Sequence, residues 1–236
     1  MKEERRQFFE RVDGDQCRDY ILSHCSKDYE KVKRSLERLM DNRFMFDSPW
    51  DMEPCSKIYQ IQPMVWNQVF EDDPEWVYML NRQEYLLQFM IGYLVEGDKG
   101  YIQKCKFFLF DWIEQVREFS PQSLMTRTLD TGIRSFTWLK LLLLFSKFDL
   151  LEEEELEKIL VSLEKQIDFM KSHYRAKYTL SNWGILQTIP MLAIYHFFSD
   201  KMDLEEVYLF ASEELKQQIE KQILEDGSQF EQSILY

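Results

Sequence analysis

EWVYMLNRQEYLLQFMIGYLVEGDKGYIQKCKFFLFDWIEQV, residues 75–116, decides the fold. Trp76, Leu80, Leu87, Ile91 and Leu94 fall on one face at helical spacing. Glu96-Gly97-Asp98 then supplies a glycine stop and an aspartate start. Beyond it, Cys105, Phe108, Leu109, Trp112, Ile113 and Val116 recur at three- and four-residue intervals. Two amphipathic helices joined by so short a turn form an antiparallel hairpin.

The same design continues toward the C-terminus. Residues 127–148 and 152–174 read as a second pair, with Glu152 to Glu155 well placed against the dipole of the second helix. Residues 182–199 and 203–225 read as a third. Ile185 to Phe198 is apolar nearly all round, as expected of an inner helix covered on every side. Successive hairpins predict a helical solenoid or an α/α toroid, and periodicity alone does not choose between them. The lack of a strict repeat disfavours tetratricopeptide-type arrays.

Residues 3–40 read as two or three further helices packing on this body. From 41 to 74 lies the longest stretch without helical periodicity. It holds four of the six prolines, together with Trp50 and Trp66. A loop of that length in a compact domain is usually functional, and its aromatics argue against disorder. The expected division is therefore 1–40 for the N-terminal helices and 41–236 for the main helical domain, with 226–236 as a loop after the last helix.

Charge narrows the function. The formal net charge is −13, the wrong sign for a phosphate-backbone binder, so nucleic acid is not an expected partner. A local basic cleft can still coexist with an acidic exterior. The four cysteines, Cys17, Cys25, Cys55 and Cys105, show no CxxC spacing, and the opening MKEERRQFFERVDGDQC has no apolar run of signal-peptide length. Free thiols in a reducing cytoplasm are the plain expectation. The most apolar run, Trp138 to Phe145, is too short to span a bilayer and contains Lys140, so no membrane partner is expected. His24, His173 and His196 are scattered without metal spacing, and neither a metal nor another cofactor is expected. Asp72-Asp73 invites a glycosidase reading, which has little weight among 42 acidic residues.

Four stretches, in this order, resemble the heparinase II/III superfamily: MFDSPWDMEPC (45–55), DPEWVYMLNRQEYLLQFMIGYLVEGD (73–98), LDTGIRSFTWLK (129–140), and the pair LSNWG (180–184) with EDGSQFEQSILY (225–236). The resemblance implies an all-α fold, an incomplete (α/α) toroid built from antiparallel helical hairpins, normally followed by an antiparallel β-sandwich. It implies a lyase that cleaves uronate-containing polysaccharides, glycosaminoglycans among them, by β-elimination, in proteins often periplasmic or secreted. It also implies that Asn182 neutralises the uronate carboxylate and that Tyr236 exchanges protons with the sugar and the leaving oxygen. Trp183 stands where several members have histidine. No β-sandwich segment is present, so such a domain is a further partner to expect beside the acidic polysaccharide or oligosaccharide.

The chemistry sets what these residues must do. A carbanion beside an ionised carboxylate is unfavourable unless a donor such as an amide meets the developing charge in a dry pocket. Asn182 opens a buried helix whose free N–H groups add to that field; the plain alternative is a helix cap. A phenol titrates near ~10 unless positive charge depresses it. As the last residue, Tyr236 has its own α-carboxylate alongside, so this chain by itself is expected to be inactive or weak. Arg134 is the expected basic group of the cleft, matching a carboxylate or sulfate in bidentate fashion, against an internal salt bridge. Asn81 and Arg82 follow, against a merely solvated face. Trp50, Trp66 and Trp183 are expected to line the cleft, whereas Trp76, Trp112 and Trp138 are expected in the core. His173 is near enough in sequence to Asn182 to reach it, or is simply a helix-end residue. Competing functions are a non-catalytic carbohydrate-binding module and a helical protein-interaction scaffold.

Overall fold

The computed structural model of the chain describes residues 2–47, 54–70 and 74–230. The punctuation read at residues 96–98 holds. Gly97 takes a left-handed φ of 70° at the end of the helix Leu86–Glu96, its N–H bonded to the Tyr93 carbonyl. The Asp98 carboxylate then accepts from the Gly100 N–H to open Lys99–Gln115.

In chain order the helices are α1 (Glu3–Arg11), α2 (Gly14–His24), α3 (Ser26–Met40), α4 (Pro74–Arg82), α5 (Leu86–Glu96), α6 (Lys99–Gln115), α7 (Thr128–Lys147), α8 (Glu153–Ser172), α9 (Asn182–Phe198) and α10 (Glu205–Gln222). Hairpins α5/α6, α7/α8 and α9/α10 repeat, and α5, α7 and α9 pack side by side as the inner row. At the head of α8, Glu155 accepts from the Glu152 N–H at 2.9 Å. The result is an all-α, toroid-like arc. Its core holds Trp76, Trp112 and Trp138, each at most 2% exposed. The first three helices lie against both ends of the inner row. α2 and α3 pack on α5, and α1 packs on α9, where Arg5 grips Asp200 through both guanidinium nitrogens.

Two sequence expectations need correction. The single apolar face from Trp76 to Leu94 is broken, because α4 stops at Arg82 and Gln83 adopts a positive φ of 58° before α5 restarts. The break aims Gln83 into the core, where its Oε1 accepts from Trp138 Nε1 at 2.7 Å. The non-helical region contains a short antiparallel hairpin, β1 (Arg43–Phe46) and β2 (Cys55–Gln60), with Phe44 opposite Tyr59 and a bulge before Phe46. Aromatic packing holds it down: Phe46 lies 5.2 Å and Phe70 4.7 Å from the Trp76 ring, both edge-on. Among the described residues no helix is long and apolar enough to cross a membrane.

One contact sets the spacing of the inner row. Pro190, inside α9, has no N–H to offer the Leu186 carbonyl four residues back. Where α7 crosses α9, a side chain on Gly132 would collide with that same Leu186 oxygen. The hydrogen at Gly132 Cα therefore faces a carbonyl that its own helix leaves unpaired, a contact of the weak C–H···O kind. Since the obstacle is backbone, it has little room to move. Gly132→Ala is expected to lower stability in urea unfolding by about 1–3 kcal/mol through overpacking; an unchanged midpoint would show that the two helices are free to separate.

Candidate functional site

The site is built where α7 and α9 begin. A 3-10 turn, Ala176–Leu180, leads into extended Ser181 at the cap of α9, and the Ser181 side chain does not cap the helix. Asn182 is thus the first helical residue, half-buried at the positive end of the helix dipole, with the Gly184 N–H bonded to the Ser181 carbonyl. Trp183 follows, its ring stacked on Tyr178 at 5.4 Å with a 26° tilt. A side chain at Gly184 would meet the Tyr178 carbonyl, so glycine allows the turn to pack beneath the tryptophan.

Arg127, just before α7, joins these pieces. Its guanidinium carbon sits 3.5 Å from the Tyr78 ring centroid on α4 and 5.2 Å from that of Trp183. Asp130, with no exposed surface, accepts from both Arg127 and Arg82, the latter through Nε at 2.7 Å. Glu75 accepts from the other arm of Arg82 at 2.7 Å and lies 3.9 Å from Arg127. Two carboxylates and two guanidiniums thus balance at the junction of α4, α7 and α9. Burial pulls the Arg82 guanidinium down, but Asp130 and Glu75 outweigh it and the net shift is upward. Arg82 is held as a structural cation. Arg127, stacked and partly exposed, presents charge toward Trp183.

Not every residue expected at the cleft is there. Arg134 is completely buried. It donates to the backbone carbonyls of Asn81 and Met125 at 2.9 and 3.0 Å, to Gln166 Oε1 at 2.9 Å and to Thr131 Oγ1 at 3.1 Å, with Trp112 beneath it at 4.0 Å. Burial pulls its pKa down to about 9, with Asp130 opposing, so it stays protonated at neutral pH. Asn81 is equally enclosed: its amide donates to the Trp66 and Val77 carbonyls and its oxygen accepts from Trp112 Nε1, all at 2.8 Å. Trp66 faces the interior, 1% exposed, with Nε1 donating to Asp111. His173 caps the exposed end of α8, tied to the Phe169 carbonyl and Ser172. These four residues support the layer behind the site or lie apart from it. Trp50 and Tyr236 lie outside the described residues.

The chain does return toward Asn182. Gln222, at the end of α10, donates to the carbonyls of Thr179 (2.9 Å) and Ser181 (3.2 Å). Residues 223–229 fold back, with Ile223 bridged to Gln229, and the Phe230 N–H reaches the Gln222 carbonyl. Phe230 is therefore anchored beside the segment that leads into Asn182.

Arg127, Tyr78 and Tyr178 escaped sequence reading. The one usable mark was an arginine immediately ahead of a helix start, three residues before Asp130. Nothing local reveals that Tyr78, 49 positions earlier, lies under it. Among the described residues no cluster of three or more His, Cys, Asp or Glu could hold a metal ion.

A toroid-like helical domain with an arginine–carboxylate junction at the heads of its inner helices is the class of protein defined so far. Residues 20–236 match the Heparinase II/III N-terminus family, and the chain belongs to that family. Its fold is similar to that of heparan sulfate lyase HepC from Pedobacter heparinus, with TM-score 0.69, 19% identity, and 86% of this chain covering 31% of that one. It is similar also to a heparinase III with methylated lysines, with TM-score 0.65, 16% identity, and 86% of this chain covering 33% of that one. The chain thus spans about a third of the length of these structures. A comparison with curated proteins returns no match.

The interior position of Arg134 carries a consequence. A lysine there has one ammonium for four acceptors fixed in a planar fork. Arg134→Lys is expected to cost at least about 2 kcal/mol in urea unfolding, since orphaned buried acceptors cost about 1–3 kcal/mol each. Full stability combined with lost oligosaccharide affinity would instead make Arg134 a ligand contact.

Proposed function

We propose that this chain is the helical, substrate-binding part of a polysaccharide lyase that cleaves uronic-acid polymers by β-elimination. The supporting observation is the convergence of Asn182, at the head of an inner helix, with the Arg127 guanidinium above Trp183 and with the returning C-terminal segment.

In the reaction, the proton on the carbon beside the carboxylate leaves, the glycosidic C–O bond breaks, and a carbon–carbon double bond forms conjugated to the carboxylate. The proton ends on the departing oxygen. Charge builds on the carboxylate oxygens as the proton is lost. The Asn182 amide, the positive end of the α9 dipole and the Arg127 guanidinium are the groups suited to meet it. Trp183, stacked on Tyr178, offers a flat apolar face to a sugar ring. Tyr236 is the residue for the proton transfers; a cation must lie near its phenol to bring it into working range. Arg82, Asp130, Glu75 and Arg134 are positioning residues that hold Arg127 and the ends of α4 and α7. The structural neighbours are a heparan sulfate lyase and a heparinase III, and an acidic glycosaminoglycan or its oligosaccharides is the substrate class that suits the same donors.

Calorimetry with a uronate-containing oligosaccharide tests the binding half. Asn182→Ala and Arg127→Ala are each expected to weaken affinity about tenfold or more, about 1.4 kcal/mol, while His173→Ala leaves it unchanged. Unaltered affinity in both site variants would place the sugar elsewhere. Any release of conjugated uronate by the chain, followed by ultraviolet absorbance, is expected to vanish in Tyr236→Phe.

A further inference from the structure

Arg82 has a second face. Besides gripping Asp130 and Glu75, it forms part of the wall of a groove of about 530 Å³ between α3 and β1 on one side and the α4–α5 break on the other. Grooves of this size are in the range of ligand sites. Its floor is apolar, with Leu39, Phe46 and Tyr85, and its rim is cationic.

Helix α3 supplies the rim. Lys31, Arg34 and Arg38 stand at i, i+3 and i+7, one stripe of the helix, and all three line the groove. Lys31 pairs with Asp28 at 2.9 Å. Arg34 is exposed, Arg38 half-buried, and neither makes an ion pair among the described residues. The acidic lining is Asp47 and Glu84. Lys31 and Arg82 are already matched by Asp28, Asp130 and Glu75, so the cations left for a ligand are Arg34 and Arg38, one turn apart on the same stripe. Two guanidiniums at i and i+4 beside an apolar floor present paired donors to one anionic group.

We propose that this groove is a subsite for sulfate groups, with Arg34 and Arg38 as its contacts, on the same acidic polysaccharide whose carboxylate meets Asn182 and Arg127. The identity of the ligand rests on the proposed function; the anion chemistry of the groove stands independently. A guanidinium matches the tetrahedral oxygens of a sulfate in paired hydrogen bonds. The apolar floor suits the ring faces of a pyranose, which a bare inorganic anion lacks. Continuity comes from Arg82, which borders the groove and shares Asp130 with Arg127.

The test is calorimetry on the 236-residue chain with a size-defined heparan sulfate oligosaccharide, its desulfated counterpart of equal length, and inorganic phosphate. Arg34 and Arg38 lie on a helix surface, so the Arg34→Ala/Arg38→Ala variant is expected to keep its melting profile. That variant is expected to lose about tenfold or more in affinity for the sulfated chain, the size of one or two charge-assisted hydrogen bonds. It is expected to bind the desulfated chain as before, and Arg127→Ala is expected to weaken both. Undiminished affinity of the double variant for the sulfated chain, or equal losses on both oligosaccharides, overturns the sulfate subsite. Phosphate binding as tight as the sulfated chain overturns the sugar assignment. If the double variant behaves as expected while Arg127→Ala changes nothing, the groove stands and the reading of the Asn182 site falls.

Discussion

The candidate site depends on one buried carboxylate. Asp130 has no exposed surface, and an isolated charge in that position would be untenable; two guanidiniums from different segments make it stable. By holding Arg82 it fixes the end of α4, and by holding Arg127 it presses a cation onto Tyr78 and toward Trp183. Two residues further along α7, Gly132 brings α9 into contact through the Leu186 carbonyl that Pro190 leaves unpaired. The charge cluster and the helix crossing are therefore parts of one device. The glycine sets how near α9 comes, and the aspartate sets what α7 presents to it.

Behind that device lies a polar layer unusual for a helical core. Arg134 ties the carbonyls of Asn81 and Met125 to Gln166 and Thr131, Asn81 bridges Trp66 to Trp112, and Gln83 receives Trp138. Each indole in the list has its N–H satisfied by a side chain or carboxylate delivered from a distant segment, as buried polar groups require. These bonds fix direction where apolar packing would fix only volume. They join the α4–α5 break, the approach to α7 and helix α8 into a rigid base for Arg127, which is what a preorganised binding site needs.

The helical hairpins were legible because their signals are local: an apolar stripe at helical spacing, Gly97 at a left-handed turn, Asp98 at a cap. The interruption after Arg82 was not, because Gln83 leaves the helix to serve an indole 55 positions away. The hairpin at Arg43–Gln60 was hidden for a similar reason, since two short strands held by packing on Trp76 leave no long alternation. Arg134 is hard to place from sequence because a lone arginine in an apolar helix resembles a ligand contact, while two of its four acceptors are main-chain carbonyls that carry no sequence mark. Trp66, in a proline-rich segment, resembles a cleft residue by its surroundings; its Asp111 partner sits on α6. Asn182 came from family resemblance, and no periodicity would have selected it. Arg127 required three elements to be brought together in space.

The proposed β-elimination requires Asn182, Arg127 and the phenol of Tyr236 to meet on one acidic sugar. A crystal structure of the chain with a bound uronate oligosaccharide tests it most directly. The account predicts a sugar carboxylate within hydrogen-bonding distance of the Asn182 amide and the Arg127 guanidinium, a ring against Trp183, and the Tyr236 hydroxyl near the carbon beside that carboxylate. An ordered oligosaccharide seated elsewhere, or Tyr236 ordered on the far side of α9, would contradict it.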